Sequence, residues 1–233
     1  MSSHSNCRYE PRATPDYREE RQAMVEQQLR RRGVQDQRVL EAMGVVPRHI
    51  FVDTACQHEA YTDRPLAIAE HQTISQPFVV AASAEAAALH PQDRVLEVGT
   101  GSGYAAAVLS VLCHQVYTVE RHRSLAETAQ RVLHRHGYHN VQVRCGDGTL
   151  GWADYAPFDA ILVTAAGPEV PPSLLKQLRR GGKLIMPVGA QANHQELLEV
   201  THHADGHFES RSLMAVRFVR LIGKDGWPDG TGH

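Results

Sequence analysis

Residues Arg94–Tyr104, RVLEVGTGSGY, decide the fold. Val95, Leu96 and Val98 are the short apolar run of a strand covered on both faces. Gly99, Gly101 and Gly103 then alternate, and Tyr104–Leu112 continues as an apolar helix. Glycine lets the chain turn with positive φ and lets a ligand approach the main chain closely. The first turn of the helix offers unpaired N–H groups and partial positive charge. Such a turn holds a polar or charged group at the carboxyl end of a strand, where open α/β sheets bind ligands.

The spacing selects among nucleotide sites. The dinucleotide fingerprint is G-x-G-x-x-G, whereas this stretch is G-x-G-x-G with Glu97 two residues ahead of it. A phosphate loop would need Lys followed by Ser or Thr, and the stretch has neither. A carboxylate leading into the loop suits a cationic ligand better than a pyrophosphate. With Glu97, the GTGSG loop resembles the first motif of the S-adenosylmethionine-dependent methyltransferases, whose cofactor carries a sulfonium and an ammonium. The plainer reading is a tight strand–helix turn without a ligand. Three alternating glycines carry an entropic penalty that a plain turn need not have.

Outward from this stretch the chain alternates. Strands are expected at 94–98, 115–120, 141–145, 158–163 and 183–188, with helices at 102–113, 123–136 and 171–179. The pattern is a doubly wound, mostly parallel α/β sheet, and the resemblance of the GTGSG loop implies the Rossmann-like class I methyltransferase form of it. Strands at 196–201, 208–213 and 216–221 have no helices between them and predict an antiparallel ending, with 202–206 as a hairpin turn. Upstream, Asp16 is placed to cap one helix ending near Gly33, and Asp36 a second before Pro47. Residues 62–76 read as a loop, and Pro77 opens an alanine-rich helix, with Ser75 or Gln76 at its start. The expected organisation is a flexible tail over 1–15, a single domain over 16–222 and a second flexible tail over 223–233. Within the domain, 16–76 supply N-terminal helices and a substrate loop, and 77–222 the sheet core.

Composition bounds the function. The 233 residues are 42% hydrophobic and 21% charged, which fits one soluble domain with a full core. A net charge of −2 leaves no footprint for nucleic acid or an anionic membrane. No apolar run approaches the ~20 residues of a membrane span, and the polar first 20 residues lack a signal-peptide core. A cytoplasmic monomer is expected. The 4 cysteines are scattered and read as free thiols. Among the 15 histidines, no spacing matches a metal frame, so no metal is expected.

Two more ligand-facing features stand at successive strand ends. Glu120 closes the second strand, where a carboxylate accepts both ribose hydroxyls of an adenosine. Asp147, between Gly146 and Gly148, closes the third, where it can approach an adenine edge; alone it would read as an ordinary Asx turn.

The acceptor side carries a more selective signal. Gln72–Pro77, QTISQP, resembles the signature of the protein-L-isoaspartate O-methyltransferases. GDGTLGW at 146–152, FDAILVTAA at 158–166, LRRGGKLIMPVG at 178–189 and AVRFVRL at 215–221 resemble that family too, so the likeness spans about Met24 to Leu221. It implies S-adenosylmethionine-dependent methylation of the free α-carboxylate of L-isoaspartyl residues in damaged proteins. The ester then closes to a succinimide that hydrolyses partly to normal aspartate. The resemblance makes Ser75 the active-site serine. It makes Thr73, Ile74, Gly99, Thr100, Gly101, Ser102, Gly103, Glu120, Gly146, Asp147 and Gly148 cofactor contacts, with Glu97 beside them. It makes Val216, Arg217, Phe218 and Val219 a strand against the substrate backbone.

The chemistry stands without the family. An α-carboxylate, with pKa near ~3.5, is already ionised at neutral pH and needs no general base. It needs in-line positioning and partial desolvation, and a serine hydroxyl donating one hydrogen bond can orient it. The chain departs from the family pattern P-I-G-x-G-Q-T before the serine, where it reads Ala67-Ile68-Ala69-Glu70-His71-Gln72-Thr73. Arg220 also stands where the family usually has Pro. Rival readings are a carboxyl methyltransferase for a dedicated peptide, a non-catalytic adaptor that recognises isoaspartyl segments, and a nicotinamide oxidoreductase, which the glycine spacing disfavours.

Overall fold

The computed structural model describes residues 16–191 and 194–230. The expected N-terminal tail over 1–15 and the last three residues lie outside them.

The sheet follows the alternation of apolar runs. β3 (Arg94–Val98), β4 (Gln115–Glu120), β5 (Val141–Cys145), β6 (Phe158–Val163) and β7 (Leu178–Gln191) are parallel; β8 (His194–His202) and β9 (Phe208–Val216) close the edge antiparallel. A separate hairpin pairs β1 (Leu66–Ala67) with β2 (Thr73–Ile74). The order β5-β4-β3-β6-β7-β8-β9 puts the reversal of winding between β4 and β6, at the carboxyl end of β3, where open sheets form a crevice.

Strand alternation divides the core. Val95, Val116, Ala160, Leu162 and Ile185 face α2 (Gln37–Val45), α3 (Pro77–Ala87), α4 (Tyr104–Leu112) and α5 (Arg123–Arg135). Leu96, Val98, Val119, Ile161 and Leu184 face the other way, against Leu174 of α6 (Pro172–Leu175), Trp152 and Tyr155. Glu97 shares the parity of Val95, so its carboxylate points to the helix-rich side, fully buried.

Several expectations need correction. The first helical segment, α1 (Arg18–Ala23), runs on through a wide turn at Met24–Leu29 to Arg32 and ends at Gly33, but its cap is Tyr17, not Asp16. Asp36 does cap α2, accepting from the amides of Arg38 and Val39 at 2.8 and 3.4 Å. The loop at 62–76 contains the β1–β2 hairpin. The helix expected at 171–179 stops after Leu175, because the buried Gln177 side chain instead bonds Trp152 N and Leu150 O at 2.8 Å each. β7 then starts early, at Leu178 opposite Phe158. The strand expected at 216–221 does not form: beyond Val216 the chain leaves β9, held by the Gln195 side chain and by a bridge from Arg220 to Ala166. The segment 223–230, expected as part of a tail, folds back. Its Lys224 amide donates to Asp147 at 2.8 Å, and Asp229 pairs with Arg121 at 2.7 Å.

Candidate active site

A cleft of about 790 Å³ opens at the carboxyl ends of β3, β4 and β6, within the usual size range of ligand pockets. Its floor is built by the glycine turn. Gly99 sits at φ 97°, with its amide bonded to Val119 O at 2.8 Å. A Cβ there would collide with Thr164 Oγ1, whose hydroxyl donates to Gly99 O at 2.7 Å. The turn therefore approaches β6 as only glycine allows.

Glu120 is buried at the cleft wall. Its Oε2 accepts from Gly101 N and its Oε1 from His122 N, each at 2.9 Å. The carboxylate is held rigidly between loop and strand end, and each oxygen keeps lone-pair capacity for a further donor. That is the chemistry a vicinal diol requires.

Glu97 lies behind the loop. Thr118 Oγ1 donates to its Oε2 at 2.5 Å, and Thr118 Oγ1 in turn meets Thr100 Oγ1 at 2.6 Å. Its Oε1 is buried without a hydrogen-bond partner among the described residues. Burial in an apolar surround pushes its pKa up to about 8, since the charged form loses hydration; the Thr118 hydrogen bond opposes this, and the nearby Glu120 charge adds to it. An orphaned, pre-formed acceptor behind the glycine turn fits a cationic ligand group. Together with the diol-matching Glu120, it makes the site suitable for S-adenosylmethionine.

Next to the cleft is a cavity of about 20 Å³, enough for one water, between α3, α4 and the sheet. Ser75, Ser83 and Glu97 line it, and Thr164 and Phe218 belong to both cavity and cleft. Ser75 is thus one wall away from the cofactor space. Gln76, not Ser75, occupies the N-cap of α3, and no side-chain bond is made there. What fixes Ser75 is Arg48, wholly buried, whose guanidinium donates to the carbonyls of Ser75 (2.8 Å), Ala60 (2.7 Å) and Arg64 (3.4 Å) and lies 5.0 Å from the Tyr104 ring centroid. Desolvation pulls its pKa down to about 10, so it stays charged at neutral pH.

The structure brings together much of the expected set. Thr73, Gly99, Gly101, Glu120, Gly148, Arg217, Phe218 and Val219 line the cleft. Ile74 is a buried residue of β2 in the hairpin, paired with Leu66, and Thr100 is tied to Thr118. Ser102 and Gly103 form the entry to α4, and Val216 ends β9. Gly146 is hydrogen-bonded to Glu120 O at 2.9 Å. Asp147 is engaged locally: its Oδ1 accepts from Thr149 N and Oγ1 at 2.9 and 2.7 Å, its Oδ2 from Lys224 N. The Asx-turn reading describes it.

Sequence reasoning missed three contributors. Arg48 looked like one arginine among many. Gln195, 3% exposed, accepts from Phe218 N at 2.6 Å and donates to Phe218 O at 3.2 Å, replacing a strand partner with one side chain. Glu70 reaches across the cleft mouth, where Ser124 Oγ donates to its Oε1 and His122 Nδ1 lies 3.7 Å from its Oε2.

Comparison with known proteins adds a consistent picture. The sequence profile of the protein-L-isoaspartate(D-aspartate) O-methyltransferase family matches residues 19–226. A protein-L-isoaspartate O-methyltransferase of Protochlamydia amoebophila is 54% identical over 204 residues, covering 88% of this chain and 97% of its own. One from Geobacter metallireducens is 51% identical over 207 residues, covering 89% and 95%. Among solved structures, a protein-L-isoaspartate O-methyltransferase superposes with a TM-score of 0.80 at 31% identity, over 90% of this chain and 67% of the other. A Plasmodium falciparum protein described as such an enzyme, in complex with S-adenosyl-L-homocysteine, gives 0.76 at 27%, over 87% and 98%.

Proposed function

The chain belongs to the protein-L-isoaspartate(D-aspartate) O-methyltransferase family, and from that premise we propose how its own residues carry out the reaction. The enzyme methylates the α-carboxylate of L-isoaspartyl residues in damaged proteins, initiating their repair. Its methyl donor is S-adenosyl-L-methionine, which when bound supplies an electrophilic methyl on a sulfonium.

Glu120 would hold the ribose hydroxyls, and the amides of the Gly99–Gly103 turn would face the cofactor. Glu97 would neutralise its cationic end. Ser75 donates one hydrogen bond to the acceptor carboxylate and so turns an oxygen lone pair towards the methyl. No proton is removed by the enzyme, because the acceptor is already an anion. Phe218, held by Gln195, walls the acceptor off from water, and partial desolvation raises the nucleophilicity of the carboxylate oxygen. Arg217 adds positive charge on the side from which an anionic peptide end arrives.

The observation that supports this reading is the shared wall: Thr164 and Phe218 line both the small cavity beside Ser75 and the cleft, so Ser75 adjoins the space a cofactor would take. The test is labelled methyl transfer from S-adenosylmethionine to an isoaspartyl peptide and its aspartyl twin. Transfer to the isoaspartyl peptide alone is expected, and equal or no transfer to it would overturn the acceptor assignment. A cytoplasmic monomer free of nucleic acid and membrane remains part of the proposal; light scattering on the eluted protein tests the oligomeric part.

A further inference from the structure

The hairpin between β8 and β9 gathers groups that methyl transfer does not use. The turn is closed by His203 N bonding His207 O and Gly206 N bonding His203 O, at 2.9 Å each, with Gly206 at φ 98°. This stacks the two imidazoles, centroids 4.2 Å apart and planes 10° off parallel. His203 Nε2 faces Glu209 Oε2 at 2.9 Å. One donor atom each from His203, His207 and Glu209 lies within 4.8 Å of the others. A tetrahedral ion bonded at about 2.0–2.2 Å needs donors roughly 3.3 Å apart, so the exposed rings must turn out of their parallel stack to aim their in-plane lone pairs at one ion, a rotation that their exposure leaves open.

The outer partner is present as well. Asp205 Oδ1 lies 2.6 Å from His207 Nδ1 and also accepts from His207 N at 3.2 Å. A carboxylate on one ring nitrogen fixes the tautomer and leaves Nε2 as the ligand atom, as in carboxylate–histidine–metal triads. Two carboxylates also balance the charge of a divalent ion.

We propose that His203, His207 and Glu209, oriented by Asp205, form a surface site for a divalent transition ion such as Zn²⁺ or Ni²⁺. Imidazole nitrogens with one carboxylate select these ions over Mg²⁺ and Ca²⁺, which prefer all-oxygen cages. Three protein donors leave open positions for water. The site lies beyond the amino end of β7, since Thr201 of antiparallel β8 pairs with Lys183, and so at the opposite end of the sheet from the cleft. Its role is to pin the last hairpin of the sheet. The sequence hides it, because the spacing H-x₃-H-x-E matches no standard frame and only the Gly206 turn stacks the two rings.

Calorimetric titration of the metal-free full chain with ZnCl₂ near neutral pH tests this, read as a difference from variants because the chain has 15 histidines. One saturable site is expected in the wild type, lost in the double variant His203→Ala/His207→Ala. Asp205→Asn should weaken it about tenfold, and Zn²⁺ should raise Tm in the wild type only. Methyl transfer should be unchanged in the double variant, which shows that it folds. Zn²⁺ binding equal to wild type in the double variant overturns the proposal, as does the absence of a saturable site. MgCl₂ binding as tightly as ZnCl₂ overturns the ion class.

Discussion

Arg48 Nη1 donates a 2.8 Å hydrogen bond to the main-chain carbonyl of Ser75, so a cation from the N-terminal addition holds the acceptor loop. No ion pair neutralises it among the described residues; three carbonyls and the Tyr104 ring do the work of solvent. Arg48→Met should leave the Ser75 and Ala60 carbonyls buried without donors and destabilise the fold by about 3 kcal/mol. Arg48→Lys, which cannot reach all three carbonyls at once, should fold better yet raise KM for an isoaspartyl peptide more than KM for the cofactor. Equal shifts in both constants would reduce Arg48 to general packing.

Glu97 predicts a pH dependence with a definite sign. Its pKa rises from 4.5 to about 8 on folding, so the folded chain binds the extra proton. Its contribution to stability is complete below about pH 4.5, falls by about 1.4 kcal/mol per pH unit as pH rises, and is gone above about 8. Glu97→Gln should remove that slope. Urea melts of both proteins at several pH values between 5 and 9 check it, and parallel curves would contradict the buried neutral carboxyl. A cationic cofactor group beside Glu97 favours the ionised form, so binding below pH 8 should release a proton. Calorimetry in two buffers of different ionisation enthalpy measures this release.

Glu120 stands apart from Glu97 because two amides already hold its carboxylate. Glu120→Ala should weaken S-adenosylhomocysteine binding by about 1–3 kcal/mol through loss of a charged acceptor. It should also loosen the Gly101 amide, seen as faster hydrogen exchange there. An unchanged dissociation constant would remove Glu120 from the ribose site.

The β1–β2 hairpin turns through Glu70 and His71, at φ 58° and 55°, where an L residue is disfavoured by about 1–2 kcal/mol. His71→Gly should relieve part of this and raise Tm. Glu70→Ala should break the contact with Ser124 and speed S-adenosylhomocysteine release about 3–10-fold, the worth of one partly exposed hydrogen bond. Stopped-flow release at the wild-type rate would mean that Glu70 does not close the mouth.

These sites explain what was legible. β3, β4, β5 and β6 run as read from the sequence, because β3, β4 and β6 are short, mostly apolar runs, and the edge strand β5 alternates apolar with polar residues up to the glycines at 146 and 148. The β1–β2 hairpin was not legible, because a turn with two positive φ values ordinarily shows glycine and here shows Glu-His. VRFV at 216–219 alternates like a strand, but only Val216 stays in β9, and the partner of Phe218 is the Gln195 side chain, which no periodicity reveals. Glu97 and Glu120 were both legible as carboxylates at strand ends. Which of them lines the cleft depends on strand parity and on the turn of the loop.

Ser75 separates mechanism from membership. The structure leaves little for a capping role, since Gln76 is the N-cap of α3 and makes no side-chain bond. Ser75→Ala should therefore change stability by less than about 0.5 kcal/mol. If the hydroxyl orients the acceptor, the loss falls on kcat/KM for the isoaspartyl peptide, with cofactor affinity unaffected. One oriented hydrogen bond to a charged group is worth about 1.5–3 kcal/mol, or roughly ten- to a hundredfold in rate. Removal of a covalent nucleophile would be far more damaging, and no enzyme-bound intermediate is involved. The pH–rate profile should show no limb from a base acting on Ser75. A limb near pH 8 that vanishes in Glu97→Gln belongs to Glu97 and leaves the serine argument intact. A folded Ser75→Ala protein with wild-type kcat/KM would end the positioning role and move the acceptor contact to the main-chain amides at the start of α3.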